Sequence, residues 1–437
     1  MPEHSNRSGI RRGMRRAGVA AAALALLLSG CGPADSTPVL TWYINPDDGG
    51  QEAIAQKCTA SADGKYRIQT TLLPSDAAAQ REQLARRLAA GDTSLDIMSL
   101  DPPFIPELAE PGFLAPVPEE TARKTTGNTL EGALAGAKWK GTLVTVPFWA
   151  NTQILWYRKS VARAAGLDMS RPVTWDQLIR AAQDEEKYLS VQGALAESMT
   201  VWVNALVESS GGHIVQNPEA PAEQIKLGLE SEAGRKAAQI VSTIGKKGLG
   251  GPGLPTQAEN ESMLQFQGKK GSFMVNWPFV WPATKASVEA GTLKKSLLED
   301  IGWALYPRTE ADQESRPPLG GINLGVGSAS KHPDLAYEAI ECIVTPEHQV
   351  EYFVTNGNPP SDSTAYDDPS IKEKFPMAET IRQSLRQSAP RPQTPYYNEV
   401  STGIQQHWAP PSGVDPATTP KQTTDFITEV LRGERLL

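Results

Sequence analysis

Histidine and cysteine are scarce in this chain, five and three among 437 residues, and each scarcity closes off chemistry. The histidines (His4, His213, His332, His348, His407) are scattered, and none stands at the spacing of a metal motif. There is no paired-cysteine zinc knuckle, and the Asp47-Asp48-Gly49 turn lacks the alternating acidic ligands of a calcium loop. No metal and no cofactor is therefore expected. A Gly-x-Ser-x-Gly nucleophile elbow is missing, and Gly325-Val326-Gly327 carries no dinucleotide fingerprint by itself. Nothing here demands bond breaking, so the chain reads as a non-enzyme. Positive charge is also in deficit. The formal net charge is -8, and no basic stripe with interleaved aromatics is present, which argues against nucleic acid as a partner. After Ala34 no apolar run approaches the roughly 18 residues of a membrane span. No fixed-period repeat is visible, which excludes solenoids and propellers.

What is present begins with the leader. Five arginines between Arg7 and Arg16 precede the apolar run Val19 to Leu28, and Leu28-Ser29-Gly30-Cys31 closes it. This reads as a lipoprotein signal peptide over residues 1–30, with Cys31 as the lipidated residue. Its run of about ten apolar residues is too short to cross a bilayer core of roughly 30 Å. The expectation is a body held on the extracellular face of the cell membrane through Cys31. Two cysteines then remain, Cys58 and Cys342, an even pair in an oxidising space. They are expected to form a disulfide, the other reading being two separate buried thiols.

The body alternates strand and helix signals. Val39 to Tyr43, Arg67 to Leu73 and Leu95 to Leu100 read as strands, with helices through Ile54 to Cys58 and over Ala78 to Ala90 between them. That order predicts an α/β layer structure with a mainly parallel sheet. Ligands in such sheets lie beyond the carboxyl ends of the strands, where Asp47, Asp48 and Asp101 would converge. Leu143 to Phe148 continues through Trp149-Ala150-Asn151-Thr152 into Ile154 to Tyr157 without a turn signal, the pattern of a chain crossing between lobes. Beyond it, Thr174-Trp175-Asp176-Gln177 is a capping box. Ser198 to Ser209 and Ser231 to Ile244 are apolar at helical spacing. Phe273 to Pro278 reads as a strand ended by proline, Ile301 to Tyr306 as a returning strand, and Lys421 to Leu431 as a closing helix.

Tryptophan stands beside polar residues at several predicted loop ends: Trp42, Trp149, Trp156, Trp277, Trp281 and Trp408. A sugar ring offers an apolar C–H face and a rim of hydroxyls, so its site combines a stacking ring with carboxylates, amides and Arg forks. Any one of these tryptophans can equally be core. Trp277, preceded by Asn276 and followed by a strand-ending proline, is the one read as a site residue.

The leader, the strand and helix order, the Val146 to Tyr157 crossing, the Gly268 to Trp277 block, Gly320-Gly321-Ile322 and Gly357-Asn358-Pro359-Pro360 resemble the extracellular solute-binding proteins of carbohydrate ABC importers. Asn151 to Arg158, Val275 to Val280 and Ala389-Pro390-Arg391-Pro392 are similar, more narrowly, to the trehalose-binding lipoproteins of actinobacterial importers. The resemblance implies a two-lobed α/β fold of the periplasmic-binding-protein type, with hinged lobes and a ligand cleft between them. It implies residues 31–148 plus 304–356 for lobe 1 and 149–303 plus 357–437 for lobe 2. By matched position it implies a ligand set of Asp47, Asp48, Asp101, Asn151, Glu259, Trp277, Gly320, Gly321 and Arg391. Asp47 and Asp48 compete for one role, as do Glu259 and Glu261. The expected partners are a disaccharide, trehalose before maltose-type oligosaccharides or another disaccharide, and the permease subunits of an ABC importer, with the chain a monomer. A secreted glycosidase is the competing enzyme class, and a surface adhesin or structural lipoprotein the third.

Overall fold

The computed structural model describes residues 37–437, and Pro38–Leu437 forms one compact unit. The signal peptide and Cys31 lie outside the described residues. Among the described residues, ten strands build two main sheets and two more form a small hairpin. The first contains β1 (Val39–Ile44), β2 (Arg67–Leu72), β3 (Ile97–Leu100), then, after the small hairpin of β4 (Lys138–Trp139) and β5 (Thr142–Leu143), β6 (Val146–Thr152). The second contains β7 (Ile154–Arg158), β8 (Tyr188–Ser190), β9 (Gly271–Asn276) and β10 (Ile301–Ala304). The chain then returns to the first sheet for β11 (Pro318–Gly325) and β12 (Ala389–Pro390).

The first sheet runs β12-β11-β3-β1-β2, with β6 paired to β11; the second runs β10-β7-β9-β8. The first sheet is mainly parallel, as expected: β1 pairs parallel with β2 and β3, and β11 with β12, while β11 lies antiparallel to β3 and β6. The second sheet is mainly antiparallel, with β7 antiparallel to β9 and β10 and β8 parallel to β9. The reason is connectivity. Local strand-helix-strand units produce parallel neighbours, whereas a strand arriving from the other sheet is free to enter in the opposite sense.

Local sequence signals place the elements well. The Thr174 capping box forms, the Gln177 amide donating to Thr174 Oγ1 at 3.3 Å and the Thr174 amide to Gln177 Oε1 at 2.8 Å. β1 ends where Asp47 accepts amide hydrogens from Gly49 and Gln51 at the start of helix Gly50–Ser61. Cores follow the sheets. Trp42 is buried with its indole N–H on Ser99 Oγ, its ring meeting Phe148 edge-on. Trp156 donates to the Asn276 carbonyl and Trp408 to Thr423 Oγ1, both fully buried. A further apolar layer mixes Ala150 and Leu319 of the first sheet with Ile154, Trp156 and Met274 of the second, so the crossing itself is packed. Cys58 and Cys342 are bonded, joining helix Gly50–Ser61 to helix Pro333–Ile343 with Cα atoms 5.8 Å apart across 284 residues of sequence. Among the described residues no helix is long and apolar enough to cross a membrane.

Candidate functional site

A cavity of about 460 Å³ is lined by residues at the end of β3, along β6 and β11, at the starts of two second-sheet helices, and just past β9. That volume lies in the range of small-molecule sites, about 300 to 1,000 Å³. The first-sheet wall is set by strand ends. Asp101 follows β3 directly, and Asn151 sits in β6 opposite Gly320 of β11. Gly320 and Gly321 are glycines for steric reasons. A Cβ on Gly320 would lie 3.1 Å from Trp277 Cη2, and Gly321 holds φ +127° with no room beside the Trp149 carbonyl. The bare backbone of β11 thus lets the Trp277 indole approach from the opposite wall.

That opposite wall is built by two helix starts. Helix Glu259–Gln267 is tied to the end of β9 because Asn276 Nδ2 donates to the Glu259 carbonyl and to Ser262 Oγ, while Asn276 Oδ1 accepts from the Trp277 amide. The amide expected to sit beside the ring in the site is therefore its scaffold, fully buried. Helix Glu197–Ser209 brings Glu197 and Ser198 to the cavity.

Arg391, immediately after β12, joins the walls. Its Nη2 donates to Asp101 Oδ1 at 2.6 Å and its Nη1 to Glu197 Oε1 at 2.7 Å. Glu197 also accepts from the Tyr397 hydroxyl and from Ser401 Oγ. Arg391 is 4% exposed, so this is a buried, over-compensated cation. Its expected use as a fork to sugar hydroxyls changes accordingly: both terminal nitrogens are committed to carboxylates, and Nε alone is left without a partner. Asn45 Oδ1, Trp149 Nε1 and Ser198 Oγ are likewise buried and unpartnered, and all line the cavity. Buried polar atoms are paired as a rule, and these four at one cavity lack a partner among the described residues.

Burial pushes the Glu259 carboxyl above its ordinary 4.5, against the pull of its own amide and of a side-chain hydrogen bond from Trp277, with Glu197 and Glu261 adding to the rise. Burial likewise raises Asp101, outweighing Arg391. The sign for binding follows. Both carboxyls are held above the ordinary carboxylate range, so they take up protons earlier on acidification than exposed carboxyls do. Affinity is expected to fall on acidification before pH 4 is reached; calorimetric titrations giving one constant from pH 7 down to 4 would contradict this.

Of the sequence-predicted residues, Asp101, Asn151, Glu259, Trp277, Gly320, Gly321 and Arg391 meet at this cavity. Asp47 and Asp48 do not line it. Asp47 caps a helix start and contacts the Tyr352 hydroxyl, and Asp48 is exposed. Glu261 accepts from the Ala258 amide at 3.1 Å and lies outside the wall, while Glu259 is part of it. Sequence reasoning missed Asn45, Asn358 and Glu197. Asn358 stands in the Gly357-Asn358-Pro359-Pro360 block already singled out, and Asn45 lies two residues before the Asp47-Asp48-Gly49 turn, so a signal existed. Glu197 carried none, because an acidic residue in a first helical turn reads as a response to the helix dipole. Among the tryptophans, Trp149 and Trp277 face the cavity; Trp42, Trp156 and Trp408 are core, and Trp281 packs on Trp303 near the surface.

Comparison with known proteins agrees with this architecture. The chain is 25% identical over 280 residues to a probable ABC transporter-binding protein of Deinococcus radiodurans, covering 60% of this chain and 62% of that protein. It is 24% identical over 244 residues to a mannitol-binding protein of Pseudomonas aeruginosa, covering 53% and 52%. It thus spans between half and two thirds of these relatives. Among solved structures, maltose-bound MalE3 of T. maritima superposes with a TM-score of 0.75 at 24% identity, covering 91% of this chain and all of that one. The family model for bacterial extracellular solute-binding proteins matches residues 49–350, more than half of the chain. With that match and a two-lobed α/β fold around one shared cavity, this chain belongs to the bacterial extracellular solute-binding protein family.

Proposed function

We propose that this chain is the extracellular, lipid-anchored binding component of an ABC sugar importer, capturing a disaccharide, trehalose before maltose-type sugars, and delivering it to the permease. Cys31 is its anchor. Residues 31–148 plus 304–356 act as one lobe and 149–303 plus 357–437 as the other, and the lobes close on the ligand as a monomer. The observation that carries this reading is the cavity itself: an indole over a bare glycine strand, carboxylates on both walls, and unpartnered buried donors and acceptors between them. Such a surface pairs ring hydroxyls and stacks a pyranose face. A buried polar group left unpaired costs about 1 to 3 kcal/mol, so a sugar with the wrong hydroxyl geometry is rejected. The Deinococcus and Pseudomonas relatives, named for an ABC transporter and for mannitol, support the transport of a polyhydroxylated solute.

A thermal-shift screen followed by calorimetry with trehalose, maltose and a β-linked disaccharide tests the assignment. Trehalose is expected to give the largest shift; a maltose preference would move the ligand to the α-1,4 class, and no shift with any sugar would end the reading. Trp277→Ala is expected to weaken binding by about tenfold or more, at least about 1.4 kcal/mol, while leaving the melting temperature near that of the parent because the ring is partly exposed.

A further inference from the structure

The cavity is lined by four acidic side chains, Asp76, Asp101, Glu197 and Glu259, and by one cation, Arg391. Asp76 is at the exposed rim, where Oδ1 caps the Ala79 amide. Asp101 and Glu197 share the Arg391 guanidinium, which is therefore neutralised twice over. Glu259 meets no cation among the described residues; its side-chain partner is Trp277. The unpartnered Arg391 Nε and Ser198 Oγ, on side chains 4% and 3% exposed, show that the same wall is built to receive something.

We propose that this cavity is a charge filter: it takes neutral saccharides and turns away the same saccharides bearing a phosphate or carboxylate, with Glu259 setting the sign at the Trp277 wall. The inference rests on the disaccharide reading above and narrows its ligand class. A neutral hydroxyl donates to Glu259, whose carboxylate has hydrogen bonds but no cation beside it. An anion instead gives up its hydration beside a carboxylate with no counter-charge, and the one cation lining the cavity has no net charge to offer because two carboxylates already hold it. The free Nε–H supplies a hydrogen bond to either kind of ligand and so does not discriminate by charge.

Calorimetry at pH 7.5 on the whole chain, with trehalose against trehalose 6-phosphate and maltose against maltose 6′-phosphate, tests the filter. The phosphorylated partner of whichever sugar binds is expected to be weaker by about 100-fold, or about 2.7 kcal/mol. Steric exclusion would produce a similar gap, so Glu259→Gln is the deciding variant. It keeps the shape, removes the charge, and is expected to shrink the gap by about tenfold. Glu261→Gln, next to the site but outside its wall, is expected to leave the gap as it is. A phosphate ester bound within tenfold of its parent, or a gap that Glu259→Gln does not change, overturns the filter while leaving the disaccharide reading in place. Failure of both neutral sugars to bind overturns that reading, and the filter with it.

Discussion

Replacing Arg391 with alanine is expected to destabilise the protein by about 3 to 5 kcal/mol, the cost typical of removing one partner from a buried pair, and to abolish measurable ligand capture. The size of the effect comes from what the guanidinium holds. Asp101 ends a strand of the first sheet, Glu197 opens a helix of the second, and neither has another cation within reach among the described residues. Once Arg391 is gone, two carboxylates repel each other inside the protein, and the Tyr397 hydroxyl and Ser401 lean on a Glu197 that has lost its anchor. The pH dependence has a definite sign. Unpaired buried carboxyls titrate higher in the folded than in the unfolded chain, so the stability they permit is present at low pH and lost as pH rises. The deficit of the variant relative to the parent should therefore narrow on acidification. Denaturant melts at pH 7 and pH 5 measure this, and a variant within about 1 kcal/mol of the parent at pH 7 would show that the triad contributes little. Arg391→Lys is expected to fall between, since an ammonium lacks the planar fork that reaches two carboxylates at once.

The second large effect belongs to the disulfide. Cys58 and Cys342 close a loop of 284 residues, for which the chain-entropy relation gives about 5 kcal/mol, with measured values commonly nearer 3. The bond staples a helix that follows β1 to one that follows β11, and Cys58 is fully buried. The paired substitution Cys58→Ala with Cys342→Ala should lower the melting temperature by several degrees. Ligand affinity should stay near that of the parent, because neither helix lines the cavity. A melting temperature unchanged by the double substitution, or by reductant, would mean that packing of these two helices against the first-sheet core already holds the segment.

Much of the scaffold is visible in residue order because its causes are local. Alternation with a period of two marks β2, and short apolar runs bounded by turn residues mark β1 and β3. The Thr174 box marks a helix start within one residue. The run from Val146 to Tyr157 without a turn signal announces a passage from one sheet to the other. β12 was invisible because it is two residues long and exists only through pairing with Pro318 and Leu319. Strand direction in the mixed sheets was equally hidden, since it depends on where distant segments arrive.

The site divides along the same line. Asp101 and Trp277 could be picked out because each follows directly on a strand, where side chains of an α/β layer structure project past the sheet; Asn151 and Glu259 came from the family resemblance. What no linear pattern contains is pairing. Residue types and spacing determined the layers and the strand-end position of Asp101, and left an even pair of cysteines to be bonded or not. Only the folded chain decided that Asp47 would cap a helix, that Glu197 would enter the cavity, and that Arg391 would be held by two carboxylates. The physical reason is range: capping and amphipathic periodicity act over three or four residues, whereas a charge is compensated by whatever the fold brings within about 3 Å of it, here from 290 and 194 positions away.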